Sequence, residues 1–258
     1  MKSTAQQDTT PYKPVSHTGG VTFDGTNVLV DDWIQCWDGS HPLLDIGCGN
    51  CNNAMKALES HARVCATEIT IDTIHSLIAQ FSLHPKLSFH HLVLPEFVPF
   101  DDSTFSGILC SEVFHFLNHA EVVATVWELH RLLISGGKAA ITCSCEDLKI
   151  FQNTGLKELR AQQRIQRPDY LTPIDDMLGF ERKLMEMEPP TQDMLDMYEL
   201  HKKTMPKPYF NAYNPEQLGM LFERMGFEIE LLTTGPAPHY PIWEHGEDDQ
   251  VRLIARKK

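Results

Sequence analysis

A short apolar run that breaks into a glycine turn constrains the fold of this chain more than any other segment. Residues 42–46 predict a buried strand, Gly47 and Gly49 form a Gly-x-Gly turn, and a helix is expected to begin at Asn52. Glycines at such a turn let the backbone approach a ligand closely. The segment therefore predicts the strand–turn–helix opening of a nucleotide-binding α/β unit.

The spacing around this turn separates two kinds of nucleotide-binding unit. A dinucleotide fold requires Gly-x-Gly-x-x-Gly, but Asn52 occupies the third glycine position and is too large for a close helix–strand contact. A nicotinamide oxidoreductase is therefore disfavoured. Instead, an acidic residue, Asp45, stands two positions before Gly47 at the end of the strand.

The Asp-x-Gly-x-Gly pattern from Asp45 to Gly49 resembles the first motif of the class I S-adenosylmethionine-dependent methyltransferases, although the family usually has a third glycine where Cys51 stands. The resemblance continues over about residues 40–145 and 213–256. Further matching motifs are Pro99-Phe100, Ser111-Glu112, Gly136-Gly137 and Gly226-Phe227, whereas Ser106 replaces the family's usual Asp. The resemblance implies an α/β fold: a seven-stranded, mainly parallel sheet with helices on both faces.

A second acidic residue lies where such a fold binds ribose. Residues 63–69 predict a strand that places Glu68 about 20 residues after the glycine turn. A carboxylate there can accept hydrogen bonds from both ribose hydroxyls. The resemblance assigns binding of S-adenosylmethionine, and of the product S-adenosylhomocysteine, to nine residues: Asp45, Gly47, Cys48, Gly49, Glu68, Ile69, Leu94, Ser111 and Glu112.

Recognition of adenine departs from the family pattern. The family often has an Asp at the position of Leu94, and leucine cannot accept a hydrogen bond through its side chain. Backbone groups or Glu96 would have to replace that contact.

Methyl transfer from a sulfonium is an in-line displacement, so the protein mainly has to hold the nucleophile close to the methyl carbon. A base is needed only if the acceptor carries a proton that leaves early. His115 is the first candidate, because imidazole titrates near neutral pH. A purely structural role for His115 stays open, and His119, Glu112, Tyr209 and Tyr213 are weaker candidates.

Residues 146–212 predict a helical cap inserted after the strand at 139–143. Helices are expected at 148–166, 173–187 and 191–203, with Thr172 and Thr191 as caps. The resemblance places such an insertion over the donor pocket, and Tyr209 and Tyr213 are candidate substrate-binding residues. The methyltransferase domain is then expected at 41–145 and 213–258.

Residues 1–40 predict an N-terminal arm and a lead-in helix at 31–37 that carries Trp33 and Trp37 on one face. In the family such a segment often folds over the cofactor. Packing of both tryptophans against the sheet is the favoured alternative.

Composition indicates which classes of partner and which kinds of site are not expected. A formal net charge of −13 repels phosphate backbones, so no nucleic-acid substrate is expected. The sequence has no apolar run of about 18 residues and no signal-peptide core, which predicts a cytoplasmic protein without membrane contact. The 7 cysteines predict free thiols, and no metal site is expected.

The sequence does not identify the methyl acceptor. An acidic chain with an apolar cap favours a small organic acceptor, while an acidic surface also suits a basic protein. A third hypothesis is a non-catalytic scaffold, supported by the departures at Cys51, Leu94 and Ser106.

Overall fold

The computed structural model describes residues 12–14, 21–81, 84–204 and 210–258. Two short strands, β1 (Tyr12–Pro14) and β2 (Val21–Phe23), pair antiparallel. A separate sheet contains seven strands, which are β3 (Leu43–Ile46), β4 (Val64–Glu68), β5 (Leu87–His91), β6 (Phe105–Ser111), β7 (Leu133–Ser144), β8 (Phe227–Gly235) and β9 (Gln250–Lys257).

The order of the large sheet is β5-β4-β3-β6-β7-β9-β8, and only β9 runs antiparallel to its neighbours. The predicted α/β fold with a mainly parallel seven-stranded sheet is confirmed. Eight α-helices accompany the strands in the described part of the chain: α1 (Val30–Ile34), α2 (Asn52–Glu59), α3 (Ile71–Phe81), α4 (His119–Leu132), α5 (Leu156–Gln166), α6 (Met177–Met187), α7 (Gln192–Thr204) and α8 (Pro215–Arg224).

The sheet separates two apolar cores. On one face, Leu44 and Ile108 pack with residues of α4 and α8 such as Val126 and Phe222. On the other face, Leu43 and Leu109 pack with α1, α2 and α3. The alternation follows from the pleat, since consecutive strand residues point to opposite faces. Helices therefore cover both faces, as predicted.

Side-chain hydrogen bonds cap the first turns of α4 and α8, the helices that pack on the sheet face carrying Leu44 and Ile108. The apolar pattern of Val122, Val126 and Leu129 predicts a helix from Glu121, but Asn118 and Glu121 form a reciprocal capping box, so α4 begins two residues earlier, at His119. The Asn214-Pro215 pair predicts another helix start, which is confirmed: Asn214 accepts a hydrogen bond from the amide of Gln217, and Pro215 occupies the first helical position of α8.

The cap contains the three predicted helices, but two of them begin later than expected. α5 starts at Leu156 rather than 148, because Gly155 adopts a left-handed conformation (φ 75°) that interrupts the chain. α6 starts at Met177 and is capped by Asp176, not Thr172, because Ile174 instead pairs with Phe210. For α7 the predicted cap is confirmed, since the Thr191 hydroxyl accepts a hydrogen bond from the backbone of Met194.

Two arginines of α5 fasten the cap to the sheet edge. Arg160 is buried and donates to the backbone carbonyls of Thr172 and Ala212. Arg164 forms a 2.5 Å ion pair with Glu146, whose side chain is also buried. Pairing a buried charge avoids the cost of leaving it desolvated and alone. The cap is thus held where the chain leaves β7.

Two other boundaries differ from prediction. α4 ends at Leu132, and Gly136 (φ 79°) lies inside β7, where the register shifts between the Leu133 and Lys138 pairs. The resemblance predicts that the Gly136-Gly137 pair is a turn that stops the preceding helix, but the pair is a strand irregularity instead. The sequence pattern at 87–94 predicts one strand, but this strand ends at His91 because Val93 bridges to Phe97. Within the described residues, no helix is long and apolar enough to cross a membrane.

The lead-in helix packs against the sheet, which was the favoured alternative. Trp33 is fully buried, with its ring against Gly107 of β6. A Cβ atom at Gly107 would lie 3.3 Å from that ring and 2.6 Å from the Cβ of Cys36. The glycine therefore lets α1 approach β6 closely.

We expect Trp33→Ala to lower the free energy of unfolding by about 3–5 kcal/mol, because it leaves a large cavity against the sheet. Urea denaturation of the full chain measures this change. Trp127→Ala is the matched control: Trp127 is 59% exposed on α4, and the substitution should change stability by less than about 0.5 kcal/mol. Equal effects of the two substitutions would contradict the packing role of Trp33.

Candidate active site

A cavity of about 330 Å³ lies at the carboxyl ends of the parallel strands, and we call it the glycine-loop cavity. Its walls come from the segments that follow β3, β4, β5 and β6. Ligands of open α/β sheets bind in this kind of crevice, where neighbouring connections leave the sheet in opposite directions.

The glycine loop itself has a backbone that other residues adopt only with strain. Gly47 and Gly49 have φ values of 69° and 55°. A Cβ at Gly47 would lie 2.8 Å from a methyl group of Val113, and one at Gly49 would lie 2.9 Å from the methyl group of Thr22. Both glycines are therefore required by conformation and by space.

Cys51 also has a left-handed backbone (φ 66°), at the residue that precedes α2. This explains why glycine is usual at that position, since a side chain there costs on the order of 1 kcal/mol. Cys51 is fully buried, and its sulfur lies 3.6 Å from that of Cys48, which faces the cavity as a free thiol. The departure from glycine leaves the shape of the loop intact.

The carboxylate of Glu68 is fixed at the end of β4. Its Oε1 atom accepts a hydrogen bond from the amide of Gly49 (2.7 Å), and its Oε2 atom accepts one from the amide of Ile69 (3.1 Å). Each carboxylate oxygen can accept more than one hydrogen bond. The group is thus oriented to receive two neighbouring hydroxyl donors from a ligand in the cavity.

The structure brings eight of the nine predicted cofactor-binding residues to this cavity. They are Gly47, Cys48, Gly49, Glu68, Ile69, Leu94, Ser111 and Glu112. Leu94 forms an apolar part of the wall, and Glu96 lies beside it. The cavity therefore offers apolar contact and the nearby Glu96 carboxylate where the family often has an Asp.

Asp45 is the exception among the nine, because the structure does not place its side chain on the cavity wall. It does not line the cavity, because it shares the face of β3 that carries Leu43 and points beneath α2. Its side chain is fully buried, and neither carboxylate oxygen has a hydrogen-bond partner in the described part of the chain.

The environment of Asp45 favours the protonated carboxyl. Burial and the neighbouring charge of Glu68 raise the pKa of Asp45 to about 7, and the nearby amide of Ala54 offsets only part of this shift. Asp45 is therefore poised to change its charge near neutral pH, directly below the glycine loop.

Sequence reasoning missed the residues that close the cavity from outside the glycine motif. The side-chain amide of Asn27 donates to the hydroxyls of Ser111 (2.8 Å) and Thr142 (2.7 Å). It thereby ties the lead-in segment across the ends of β6 and β7. A single asparagine in a turn-rich segment carries no sequence pattern that would have identified it.

A buried hydrogen-bond network lies at the ends of β6 and β7. The Tyr240 hydroxyl donates to Glu112, and the Gln250 side chain donates to the same carboxylate (2.7 Å). Tyr240 also lies 3.2 Å from the hydroxyl of Ser144. Burial raises the pKa of Glu112, and these donors partly oppose that shift. The network fixes one polar wall of the cavity.

A second cavity of about 120 Å³, which we call the cap cavity, lies beneath α6 and α7. It shares Glu112, Phe116 and Tyr240 with the glycine-loop cavity, so the two meet at the buried network. Four cap methionines line it: Met177, Met185, Met194 and Met197. Their flexible side chains suit a site that adapts to an apolar ligand.

His115 lines the cap cavity and not the glycine-loop cavity. Its ring stacks on Phe210, with centroids 4.8 Å apart, and Nδ1 lies 3.7 Å from Glu112. Burial lowers the pKa of His115 to about 3. The expectation that this imidazole titrates near neutral pH is therefore wrong, and the ring is a weak base that packs and positions.

The two tyrosines predicted to bind substrate do not support that role. Tyr213 is buried in the core, its hydroxyl donates to the Phe114 carbonyl (2.7 Å), and it lines neither cavity, so that prediction is wrong. Tyr209 lies outside the described residues.

Ser106, which replaces the family's usual Asp, lies at the start of β6, away from the cavity edge, and its hydroxyl donates to the His41 carbonyl (2.9 Å).

Comparison with known proteins agrees with this geometry. Residues 43–137 match the family model described as a methyltransferase domain. No curated protein sequence matches the chain. The matched segment contains the glycine loop, Glu68 and Glu112, so it includes much of the wall of the larger cavity.

Several solved structures share the fold at low sequence identity. An S-adenosylmethionine-dependent methyltransferase from Methanosarcina mazei has a TM-score of 0.56 and 15% identity, covering 90% of this chain and 98% of that chain. The 1,6-didemethyltoxoflavin-N1-methyltransferase of Burkholderia thailandensis, with bound 1,6-didemethyltoxoflavin and S-adenosylhomocysteine, has a TM-score of 0.54 and 13% identity, covering 90% of this chain and 79% of that chain. Magnesium protoporphyrin IX methyltransferase of Synechocystis, with bound S-adenosylhomocysteine, has a TM-score of 0.53 and 12% identity, covering 92% of this chain and 90% of that chain.

We expect Asp45→Asn to remove a pH dependence of stability. Because the pKa of Asp45 is about 7 in the folded chain and ordinarily 3.8, the folded state binds the extra proton between these values. The free energy of unfolding of the wild type should therefore fall by up to about 4 kcal/mol as pH rises through that interval.

Urea denaturation at pH 4.5, 6 and 8 measures this contribution as the difference between wild type and variant. Asp72→Asn, at an exposed position of α3, is the control and should follow the wild type. Parallel stability curves for the wild type and Asp45→Asn would contradict the buried, ionisable carboxyl.

Proposed function

We propose that this chain transfers the methyl group of S-adenosylmethionine to a small organic molecule, because residues 43–137 match the methyltransferase-domain family model. One observation carries the proposal: the glycine-loop cavity and the cap cavity are adjacent and share Glu112, Phe116 and Tyr240 in their walls. Methyl transfer needs donor and acceptor side by side, and two adjacent cavities meet that need.

The residues of the glycine-loop cavity fit S-adenosylmethionine. The fixed Glu68 carboxylate suits two ribose hydroxyls, and Gly47 and Gly49 leave room that any Cβ would fill. Ile69 and Leu94 offer apolar contact for a base. When bound, the cofactor supplies an electrophilic methyl group on a positively charged sulfur.

The residues at the junction have positioning roles. Tyr240 and Gln250 hold the Glu112 carboxylate, and that carboxylate faces both cavities. His115 is uncharged at neutral pH because burial lowers its pKa to about 3, so it contributes shape and stacking to the acceptor side. The cap helices α6 and α7 cover this side.

The size of the cap cavity supports a small acceptor over a protein side chain. The cavity has a volume of about 120 Å³ and lies beneath two helices, which suits a compact molecule. Two of the similar structures, the toxoflavin and protoporphyrin enzymes, are named for small-molecule acceptors. The alternatives are a protein acceptor and a non-catalytic subunit that only binds the cofactor.

A transfer assay separates these functions. Purified protein is incubated with methyl-labelled S-adenosylmethionine and either a small-metabolite pool or the proteins of a cell extract. Label in the small-molecule fraction supports the proposal, and label only in protein supports the alternative acceptor. Cofactor binding without transfer in either fraction favours the non-catalytic subunit, and absence of cofactor binding overturns all three.

We expect Glu68→Gln to weaken S-adenosylhomocysteine binding by about 10- to 100-fold, because it removes the charge from the proposed ribose contact. Isothermal titration calorimetry measures the dissociation constant. Glu59→Gln makes the same change at the exposed end of α2 and should bind like the wild type. Melting temperatures without ligand check that both variants fold, and unchanged affinity in a folded Glu68→Gln would exclude this role.

A further inference from the structure

We propose that the acceptor is a small organic amine that binds as an ammonium cation in the cap cavity between Glu181 and Glu244. Before transfer, one ammonium proton passes to the unpaired Oε2 atom of Glu181, and the freed nitrogen lone pair forms the new N–CH3 bond as the S–CH3 bond of the donor breaks. The proposal rests on the methyl transfer proposed above and names the class of molecule that the acceptor side would take. It follows from the charges, the unsatisfied carboxylate oxygen and the aromatic wall of this cavity.

The charged side chains of the cap cavity have one predominant sign. Three glutamates line it, namely Glu112, Glu181 and Glu244, and of the residues that the structure describes no lysine or arginine does so. Two histidines also line it: His201 is paired with Glu181, and His115 lies 3.7 Å from Glu112 and has a pKa that burial lowers. A cavity of this kind repels an anionic acceptor and attracts a cation.

Glu181 retains an unsatisfied oxygen in this cavity. Its Oε1 atom pairs with Nδ1 of His201 at 2.5 Å, but its Oε2 atom is buried and has no hydrogen-bond partner among the described residues. The side chain as a whole is 14% exposed. A desolvated carboxylate oxygen without a donor is costly, and a bound ammonium group would supply that donor.

Glu244 faces the same space from the turn at Ile242–Glu244. Burial, followed by the charges of Glu181 and Asp249, raises the pKa of Glu244 to about 8. The repulsion between these carboxylates adds to the effect of burial, and a cation placed between them would oppose both.

Aromatic rings complete the cavity. Trp243, Phe210, Phe116 and Tyr240 all contribute to its lining, together with the methionines of α6 and α7. Aromatic faces attract ammonium groups, and the apolar side chains suit a hydrocarbon or aromatic body. Carboxylates, aromatic rings and flexible apolar side chains together select a compact amine over a carboxylic acid or a phosphorylated compound.

Two isosteric probes test the inference in the full chain with S-adenosylhomocysteine bound. Calorimetry compares 2-phenylethylamine, a cation at neutral pH, with the neutral 2-phenylethanol. The amine should bind at least about tenfold more tightly. In Glu181→Gln and Glu244→Gln that preference should fall, while the affinity for the alcohol stays within about twofold of the wild type.

Glu186→Gln is the matched control, because it makes the same change at an exposed position of α6 outside the cavity, and it should keep the full preference. Failure of the amine to bind, equal binding of both probes, or a preference that survives both cavity substitutions would overturn the inference. Binding of S-adenosylhomocysteine in the same titrations keeps the two proposals apart: its absence defeats the methyltransferase proposal, whereas its presence without an amine preference defeats only this one.

Discussion

The parallel pairing of β3 with β4 and β6 is the constraint on which the site depends. Ile46 lies opposite Thr67 on one side and Cys110 on the other, so the residues that follow all leave the sheet at one level. Gly47, Glu68 and Ser111 come together for this reason alone, although they are far apart in the chain. The glycine loop then closes over Glu68 through the amide of Gly49.

Local patterns predicted the fold and the ligand-binding edge, because each strand end carries its own signal. The glycines, the acid at the end of β4 and the Asn-Pro start of α8 depend on neighbours a few residues away. Asn27 and Tyr240 could not be predicted, since their partners lie 84 and 128 residues distant. Asp45 shows a limit of motif reasoning: the pleat directs its side chain beneath α2, whichever family the motif suggests.

Burial changes the acid–base properties expected of the two groups at the junction of the cavities. A free imidazole titrates near neutral pH, but desolvation keeps His115 neutral far below that. The same desolvation raises the pKa of Glu112, and hydrogen bonds from Tyr240 and Gln250 stabilise its charge in part. Residue type alone suggested that His115 acts as a base. Burial instead lowers the pKa of His115 and raises that of Glu112.

The position of β9 between β7 and β8 has a consequence for assembly. Gln250, at the start of β9, holds Glu112 across 138 residues, and β8 joins the sheet only through β9. Closing so long a loop has an entropic cost that local contacts do not repay. A nascent chain that has emerged only as far as β8 would have the glycine loop but neither the outer sheet edge nor this support of Glu112. The polar wall at Glu112 is therefore completed only when β9, which follows β8 in the chain, has joined the sheet.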